Sequence, residues 1–171
     1  MKVLFQLNDQ LLWVKDFLPH NVYKQLHLFV FKNNKKVSVD VSKTWSPSLL
    51  NYLKPPKKLH LNNSLQEEYI NFLRKQPFVN FSDKKITFAF YKMDNKSGIN
   101  WHDDHGHEYA ATFYLNNRWS HSWGGEFMFK TKDQAGFLPI IGNSLILVKS
   151  SLWHKVNPVL SPIIPRFSIQ S

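Results

Sequence analysis

The spacing of apolar residues changes character near residue 85. Before that point it is helical. In PHNVYKQLHLFVF, Val22, Leu26, Phe29 and Val30 fall on one face of a helix, and Pro19 suits its first turn. SLQEEYINFLRKQP predicts a second helix. Leu65, Tyr69 and Leu73 line one side, Ser64 and Glu67 form an S-x-x-E capping box, and Pro77 closes it. SPSLLNYLKPP predicts a shorter one, with Ser46 as cap, Pro47 at the first position and Pro55-Pro56 as the stop. KVLFQL opens the chain as a strand. After residue 85, KITFAFYK, YAATFYLN, GEFMFKT, NSLILVK and RFSIQS read as strands, separated by Gly, Asn, Pro and Asp. Several short strands with irregular connections predict a sheet closed on itself as a sandwich or barrel. No linker composition divides the chain. The expectation is a single domain over residues 1–171, with a helix-and-strand support region at 1–85 and a β core at 86–171.

Composition narrows the chemistry. A chain of 171 residues that is 43% apolar can bury a full core. It has no cysteine, so disulfides, thiolate–zinc sites and cysteine nucleophiles are excluded. Any metal must rest on histidine and carboxylate. Gln6, Asn8 and Asp9 interrupt the N-terminal apolar run, which argues against a signal peptide, and no stretch is apolar enough for a membrane span. A soluble, cytoplasmic, monomeric protein is expected. The net charge of +10 raises the question of a nucleic-acid partner. Only Arg74, Arg118 and Arg166 of the 22 basic residues are arginine, the better bidentate reader of phosphate and guanine. The charge is also uneven: residues 1–85 carry 14 basic and 6 acidic side chains, residues 86–171 carry 8 and 6. A solvated lysine surface is therefore favoured over nucleic-acid binding.

The densest chemistry lies in NWHDDHGHEYAATFYLNNRW, where His102, Asp103, Asp104, His105, His107 and Glu108 crowd together. On extended backbone, residues two apart point to the same side. His102 and Asp104 have that spacing, and Asp103 should face away. A third ligand must come from elsewhere in the fold. His154, in SLWHKVNPV just after the strand-like SLILVK, is best placed to return beside the pair across a closed sheet. H-x-D alone is a weak signal, because a local histidine cluster also fits a surface or a substrate-facing rim.

The order of the surrounding motifs is more specific. A strand carrying Tyr91 is followed by WHDD, by YLNNRW and WGGEF, by LPIIGNSLILVKSSLWHKV and finally by RFSI. Over residues 86–170 this series resembles the iron(II)/2-oxoglutarate-dependent dioxygenases, in their prolyl 4-hydroxylase-like branch. The resemblance implies a mostly β fold, a double-stranded β-helix (jelly roll) flanked by N-terminal α-helices. It makes His102, Asp104 and His154 the Fe(II) ligands, a facial triad that leaves positions for 2-oxoglutarate and O2. It assigns Arg166, which shares a strand face with Ser168, to the distal carboxylate of the cosubstrate, where a planar fork makes two hydrogen bonds. It places Tyr114 beside that carboxylate and Tyr91 near the metal end. Trp101, His105, Arg118, His121 and Trp153 become candidates for reading a substrate at the mouth, with His107 beside them. Trp119 and Trp123 are expected to pack the fold. The chain departs from the family in the NPVLSPIIP segment, which separates His154 from Arg166 by more residues than usual and should widen a loop. RFSIQS ends the sequence, so no C-terminal helix is expected over the site.

The implied reaction is hydroxylation of a C–H bond with release of succinate and CO2. By resemblance the substrate is a prolyl residue in a protein or peptide, or an amino acid. An AlkB-type nucleic-acid oxidative dealkylase is the rival within the same chemistry. DNKSGINWHDD and the basic first half favour it; YLN…W…GGEF and the single arginine of the last strand oppose it. A cupin-like metal-binding module without catalysis is the rival of another class. It gives Arg166 and Tyr114 no role.

Overall fold

A computed structural model describes residues 1–35, 38–40, 47–59, 64–81 and 84–171, with 38–40 as backbone alone. In chain order the elements are β1 (Lys2–Leu7), β2 (Leu11–Lys15), α1 (His20–Asn33), β3 (Ser38–Asp40), α2 (Pro47–Leu50), β4 (Lys57–Leu59), α3 (Leu65–Arg74), β5 (Ala89–Met93), β6 (Ile99–His102), β7 (Tyr109–Tyr114), β8 (Phe127–Lys130), β9 (Ala135–Leu138), β10 (Ser144–Lys149), β11 (Trp153–Val156) and β12 (Arg166–Gln170). They form an eight-stranded sheet, ordered β1-β2-β10-β7-β12-β5-β4-β3, and a four-stranded sheet, ordered β6-β11-β8-β9. This is the jelly roll. The first 85 residues supply four strands of the large sheet. Its two edges are therefore built from the support region, around centre strands from the second half. No helix among the described residues is long and apolar enough to cross a membrane.

Alternation along the central strands explains both the packing and the site. Leu145 and Leu147 of β10, Phe113 of β7, and Phe167 and Ile169 of β12 face a core shared with Val22, Leu26 and Val30 of α1 and with Tyr69 and Leu73 of α3. Full burial of each such side chain contributes about 1.5–3 kcal/mol. The intervening Ile146, Val148 and Tyr114 face the other way, into a second core with Phe127, Phe129 and Leu138 of the small sheet. With both faces covered, β10 reads as the uninterrupted apolar run LILV. On β12 the same alternation places Arg166 and Ser168, both fully buried, on the inner face between the sheets.

Three local expectations change. Ser64 has helical backbone angles, φ −58° and ψ −26°, and makes no side-chain cap bond, so there is no capping box. A cap needs extended backbone to turn its oxygen toward the free N–H groups of the first turn. Ser46 lies outside the described residues, although α2 does begin at Pro47. KITFAFYK forms a ladder only from Ala89, because its partner β12 runs out where Gln170 pairs with Ala89. The predicted NPVLSPIIP loop is pinned rather than loose. Val159 is fully buried, its carbonyl accepts from Lys96 N at 2.7 Å, and its N–H donates to Ser97 O at 2.9 Å.

The turn before β10 ties the support region to the core. Asn143 sits in the left-handed region at φ 58° and is buried. Its Nδ2 donates to Leu18 O at 2.9 Å, and its Oδ1 accepts from Leu18 N at 3.0 Å. Asn143→Ala leaves both backbone groups of Leu18 unsatisfied, at about 1–3 kcal/mol each, and puts a Cβ-limited residue at positive φ. Urea unfolding should show a loss of about 3 kcal/mol. Asn143→Asp keeps the acceptor and should lose less.

Candidate metal centre

The site begins with a cross-strand pair. β11 lies antiparallel to β6 with His154 directly opposite His102, and their ring centroids are 4.3 Å apart. Asp104 lies two residues beyond His102, past the end of β6. One ligand atom from each of the three residues lies within 4.8 Å of the others. Both ring orientations are fixed by backbone carbonyls. His102 Nδ1 donates to Asn100 O at 2.7 Å, and His154 Nδ1 donates to Leu152 O at 2.8 Å. A carbonyl can only accept, so Nδ1 of each ring carries a proton and each Nε2 faces the cavity. Asp104 Oδ1 is 3.7 Å from His102 Nε2, and Asp104 Oδ2 is 3.3 Å from His154 Nε2. Phe127 stacks on His154 with centroids 5.1 Å apart and holds that ring from behind.

Electrostatics favour ligation. Burial, then the charge of neighbouring His154, lowers the pKa of His102 below the usual histidine value. Burial tends to raise the Asp104 carboxyl, but the hydrogen bond and charge of His154, with His102 and His107, outweigh it and leave the pKa below the usual value. Two imidazoles and one carboxylate are the donor set of a non-haem iron(II) centre with open positions.

A second feature lies on the same inner face. Arg166 is fully buried, and Nη1 donates to Met93 Sδ at 3.0 Å and to Ser168 Oγ at 3.5 Å. Its guanidinium carbon is 4.9 Å from the centroid of the Tyr114 ring. Among the described residues, Arg166 Nε and Nη2 and the Tyr114 hydroxyl are buried without hydrogen-bond partners. Burial drives the Tyr114 pKa up despite the nearby Arg166 charge, which keeps the hydroxyl protonated as a donor. A buried cation without a counter-ion, beside a free donor, fits the distal carboxylate of 2-oxoglutarate. The glycine pair of WGGEF leaves room for it. Gly125 has φ 77°, and a Cβ there would meet Arg166 Cδ at 3.3 Å. At Gly124, with φ 63°, a Cβ would lie 2.2 Å from Pro158 O.

A cavity of about 410 Å³ opens onto the triad. Its lining includes Tyr91, Met93, His102, Asp104, His107, Tyr109, Thr112, Phe127, His154 and Gln170. The structure thus brings His102, Asp104, His154 and Tyr91 to one cavity and sets Arg166, Ser168 and Tyr114 in the same inner layer. Asp103 lies off the cavity, with its carboxylate 3.0 Å from His105 Nε2. The five substrate candidates are not in the lining. His105 and His121 are exposed, as is the loop bearing Arg118. Trp101 and Trp153 project from the opposite face of the strands that carry His102 and His154, because neighbours of inward residues must point outward. His107, rather than His105, reaches the cavity. Trp119 packs as expected, donating from Nε1 to Gly124 O at 2.9 Å and meeting Trp123 edge-on. Met93, Thr112 and Gln170 were absent from the sequence reading. Each follows from strand parity: Met93 is two residues past Tyr91, Gln170 is two past Ser168, and Thr112 is two before Tyr114.

Fold and site together define a double-stranded β-helix with an H-x-D…H cluster and a buried arginine. The profile of the 2OG-Fe(II) oxygenase superfamily matches residues 86–171, and the chain belongs to that superfamily. It is an oxygenase whose family chemistry uses Fe(II), 2-oxoglutarate and O2. No curated protein matches it by sequence. Among solved structures, it is similar to a prolyl-4-hydroxylase from Pseudomonas putida, with TM-score 0.73 and 14% identity over 94% of this chain and 90% of that one. A prolyl hydroxylase from Trichoplax adhaerens, in complex with a hypoxia inducible factor oxygen degradation domain peptide fragment, gives TM-score 0.72 and 13% identity over 95% and 82%. The alpha ketoglutarate dependent epimerase SnoN, from nogalamycin biosynthesis, gives 0.69 and 11% over 95% and 77%. At these identities the likeness is one of fold.

Proposed function

We propose that the protein hydroxylates a C–H bond of a prolyl residue within a protein or peptide. His102, Asp104 and His154 hold the iron, while Arg166, Tyr114 and Ser168 take the distal carboxylate of 2-oxoglutarate. The observation that carries the oxygenase reading is the buried, uncompensated Arg166 in the same inner layer as the triad. A cupin-like module that only binds metal has no use for it. When bound, iron with 2-oxoglutarate supplies the oxidising step, yielding succinate and CO2 with the hydroxylated product. The chain's own residues orient and exclude. The carbonyls of Asn100 and Leu152 keep both Nε2 atoms aimed at the cavity. Phe127, Ile99 and Val156 wall it with apolar surface that keeps water from the reacting centre. Tyr91 stands beside the metal end.

The substrate class is argued from the cavity and from the structural neighbours. Its walls include Phe88, Tyr91, Tyr109, Leu49 and Ile99, which suit a ring with little polarity. Asp104 is the only carboxylate side chain among the lining residues. A free amino acid would bring an ammonium group with no side-chain counter-ion but the metal ligand itself. A residue within a peptide has no such group. The two similar prolyl hydroxylases support the same choice.

The test is succinate release and product mass with Fe(II) and 2-oxoglutarate. Proline-containing peptides, free proline and a methylated single-stranded oligonucleotide are offered separately. Peptide-dependent succinate with gain of one oxygen on proline is expected. Turnover on the oligonucleotide alone would make the protein an AlkB-type dealkylase. Turnover on free proline alone would make it an amino-acid hydroxylase, and absence of cosubstrate binding would leave only the metal-binding module.

A further inference from the structure

The two tryptophans removed from the active site lie together on the outer face of the small sheet. Lys130 Nζ is 4.6 Å from the centroid of the Trp101 ring and 5.3 Å from that of Trp153, and Lys155 Nζ is 5.3 Å from Trp101. Trp153 pairs with Lys130 across β11 and β8, which puts them side by side on that face. Phe137 of β9 shares it by parity, and Trp153 and Phe137 are 45% and 62% exposed. Lys132, in the following turn, joins Lys130 and Trp153 in lining a recess of about 490 Å³ at the end of the face.

The lysines carry uncompensated charge. No ion pair engages Lys130, Lys132 or Lys155 among the described residues. Of the acids on these strands and their turn, Glu126 accepts from Asn157 at 3.3 Å, and Asp133 lies at the exposed β8–β9 turn. A monomeric protein gains nothing in its own core from two tryptophans and a phenylalanine turned outward on one sheet face. Interleaved rings and ammonium groups on a four-stranded sheet are the elements by which proteins hold single-stranded nucleic acid: bases stack on the rings while lysines meet phosphates.

We propose that this outer face binds single-stranded nucleic acid, as a site separate from the catalytic cavity on the other side of the same sheet. It concerns a partner, not the substrate, and stands whether or not the prolyl reading holds.

The test titrates the full chain against a fluorescein-labelled single-stranded oligothymidylate, reading anisotropy and tryptophan fluorescence together. Binding with quenched tryptophan emission is expected. Log affinity should fall against log salt with a slope of about −2, at roughly 0.7 per phosphate met by each of three lysines. Trp153→Ala and Lys130→Glu should each weaken binding at least tenfold. Trp153→Phe, which keeps a ring, should restore most of it and guards against a folding artefact. Lys24→Glu, on the exposed face of α1, and His102→Ala, in the cavity, should change it less than twofold. A duplex of the same length should bind more weakly. Several results would overturn the proposal: no binding at low salt, equal binding by Trp153→Ala, equal binding of the duplex, or weakening by His102→Ala. Competition by polyglutamate as strong as by the oligonucleotide would do so too, and would reassign the face to an acidic polypeptide.

Discussion

Replacing any one of His102, Asp104 or His154 with alanine should reduce iron-dependent succinate formation more than about 100-fold. Loss of a group that merely orients a metal ligand typically costs about 10–100-fold, and loss of the ligand itself exceeds that. His102→Ala is the cleanest variant. His154 is stacked on Phe127 and only 5% exposed, so its truncation also opens a hole in the packing. Asp104→Glu is the sharper test of geometry. It keeps the charge but lengthens the side chain by one methylene, and displacement of about 1 Å at a reacting centre can cost 10²-fold. Succinate release and bound iron should be measured on the same preparations. A single-ligand variant that retains iron and more than a tenth of wild-type turnover would remove that residue from the site.

The proposed ligand set is legible in the sequence for a physical reason. Ligation by strand residues depends on parity, and parity can be counted along the chain without knowing the fold. His102 and Asp104 share a side, Asp103 does not, and His154 returns in register because a closed antiparallel sheet must bring β11 beside β6. Arg166 stands out as a rare arginine inside an apolar strand, and it is fully buried. The motif order then assigns the superfamily. The substrate candidates fall outside the cavity lining where sequence nearness replaced parity. Trp101 and Trp153 adjoin ligands in the chain, and on a strand that adjacency places them on the other face. Arg118 and His121 lie in a loop whose course depends on a 3-10 turn at His121–Trp123, which no periodicity announces.

Strands β6, β8, β9 and β11 have four residues each, and only β8, within GEFMFKT, carries enough consecutive apolar residues to register. The others are strands because their neighbours are, through pairings only the folded sheet supplies. The absent capping box at Ser64 teaches the same lesson on a smaller scale: the S-x-x-E pattern is a statement about side chains, and the cap is decided by backbone angles set upstream. The long segment before Arg166 could be counted in the sequence but not placed. Val159 shows that it is packed against the glycine pair and the β5–β6 turn, so the extra length secures Arg166 rather than loosening it.

Arg166→Met should separate stability from function with effects of opposite sign. In the free protein the guanidinium is fully buried and, among the described residues, faces a thioether, a hydroxyl and a ring, with Nε and Nη2 unpartnered. Methionine has a similar reach and no charge to desolvate. Replacing buried ionic groups with apolar ones of similar volume often stabilises by about 1–4 kcal/mol, so the variant should unfold at higher urea than wild type when no cosubstrate is present. With cosubstrate that advantage should shrink by about 1.8 kcal/mol or more, reversing the order where the free-state gain is small. A ligand at 100 times its Kd stabilises by about 2.7 kcal/mol, and wild type should gain that with 2-oxoglutarate and metal. Loss of one partner of a buried, hydrogen-bonded charge pair costs about 2–5 kcal/mol of binding, so the variant should bind 2-oxoglutarate at least about 30-fold more weakly and gain no more than about 0.9 kcal/mol at the same concentration. Urea melts with and without 2-oxoglutarate, using a redox-inert divalent metal in place of iron, read both effects without turnover. A variant less stable than wild type in the free state would show that Arg166 already has its charge balanced within the fold. Undiminished stabilisation by 2-oxoglutarate would move the carboxylate site elsewhere in the inner layer. Only a gain without ligand joined to weaker stabilisation by it matches a cation held unpaired for a carboxylate that arrives from solution.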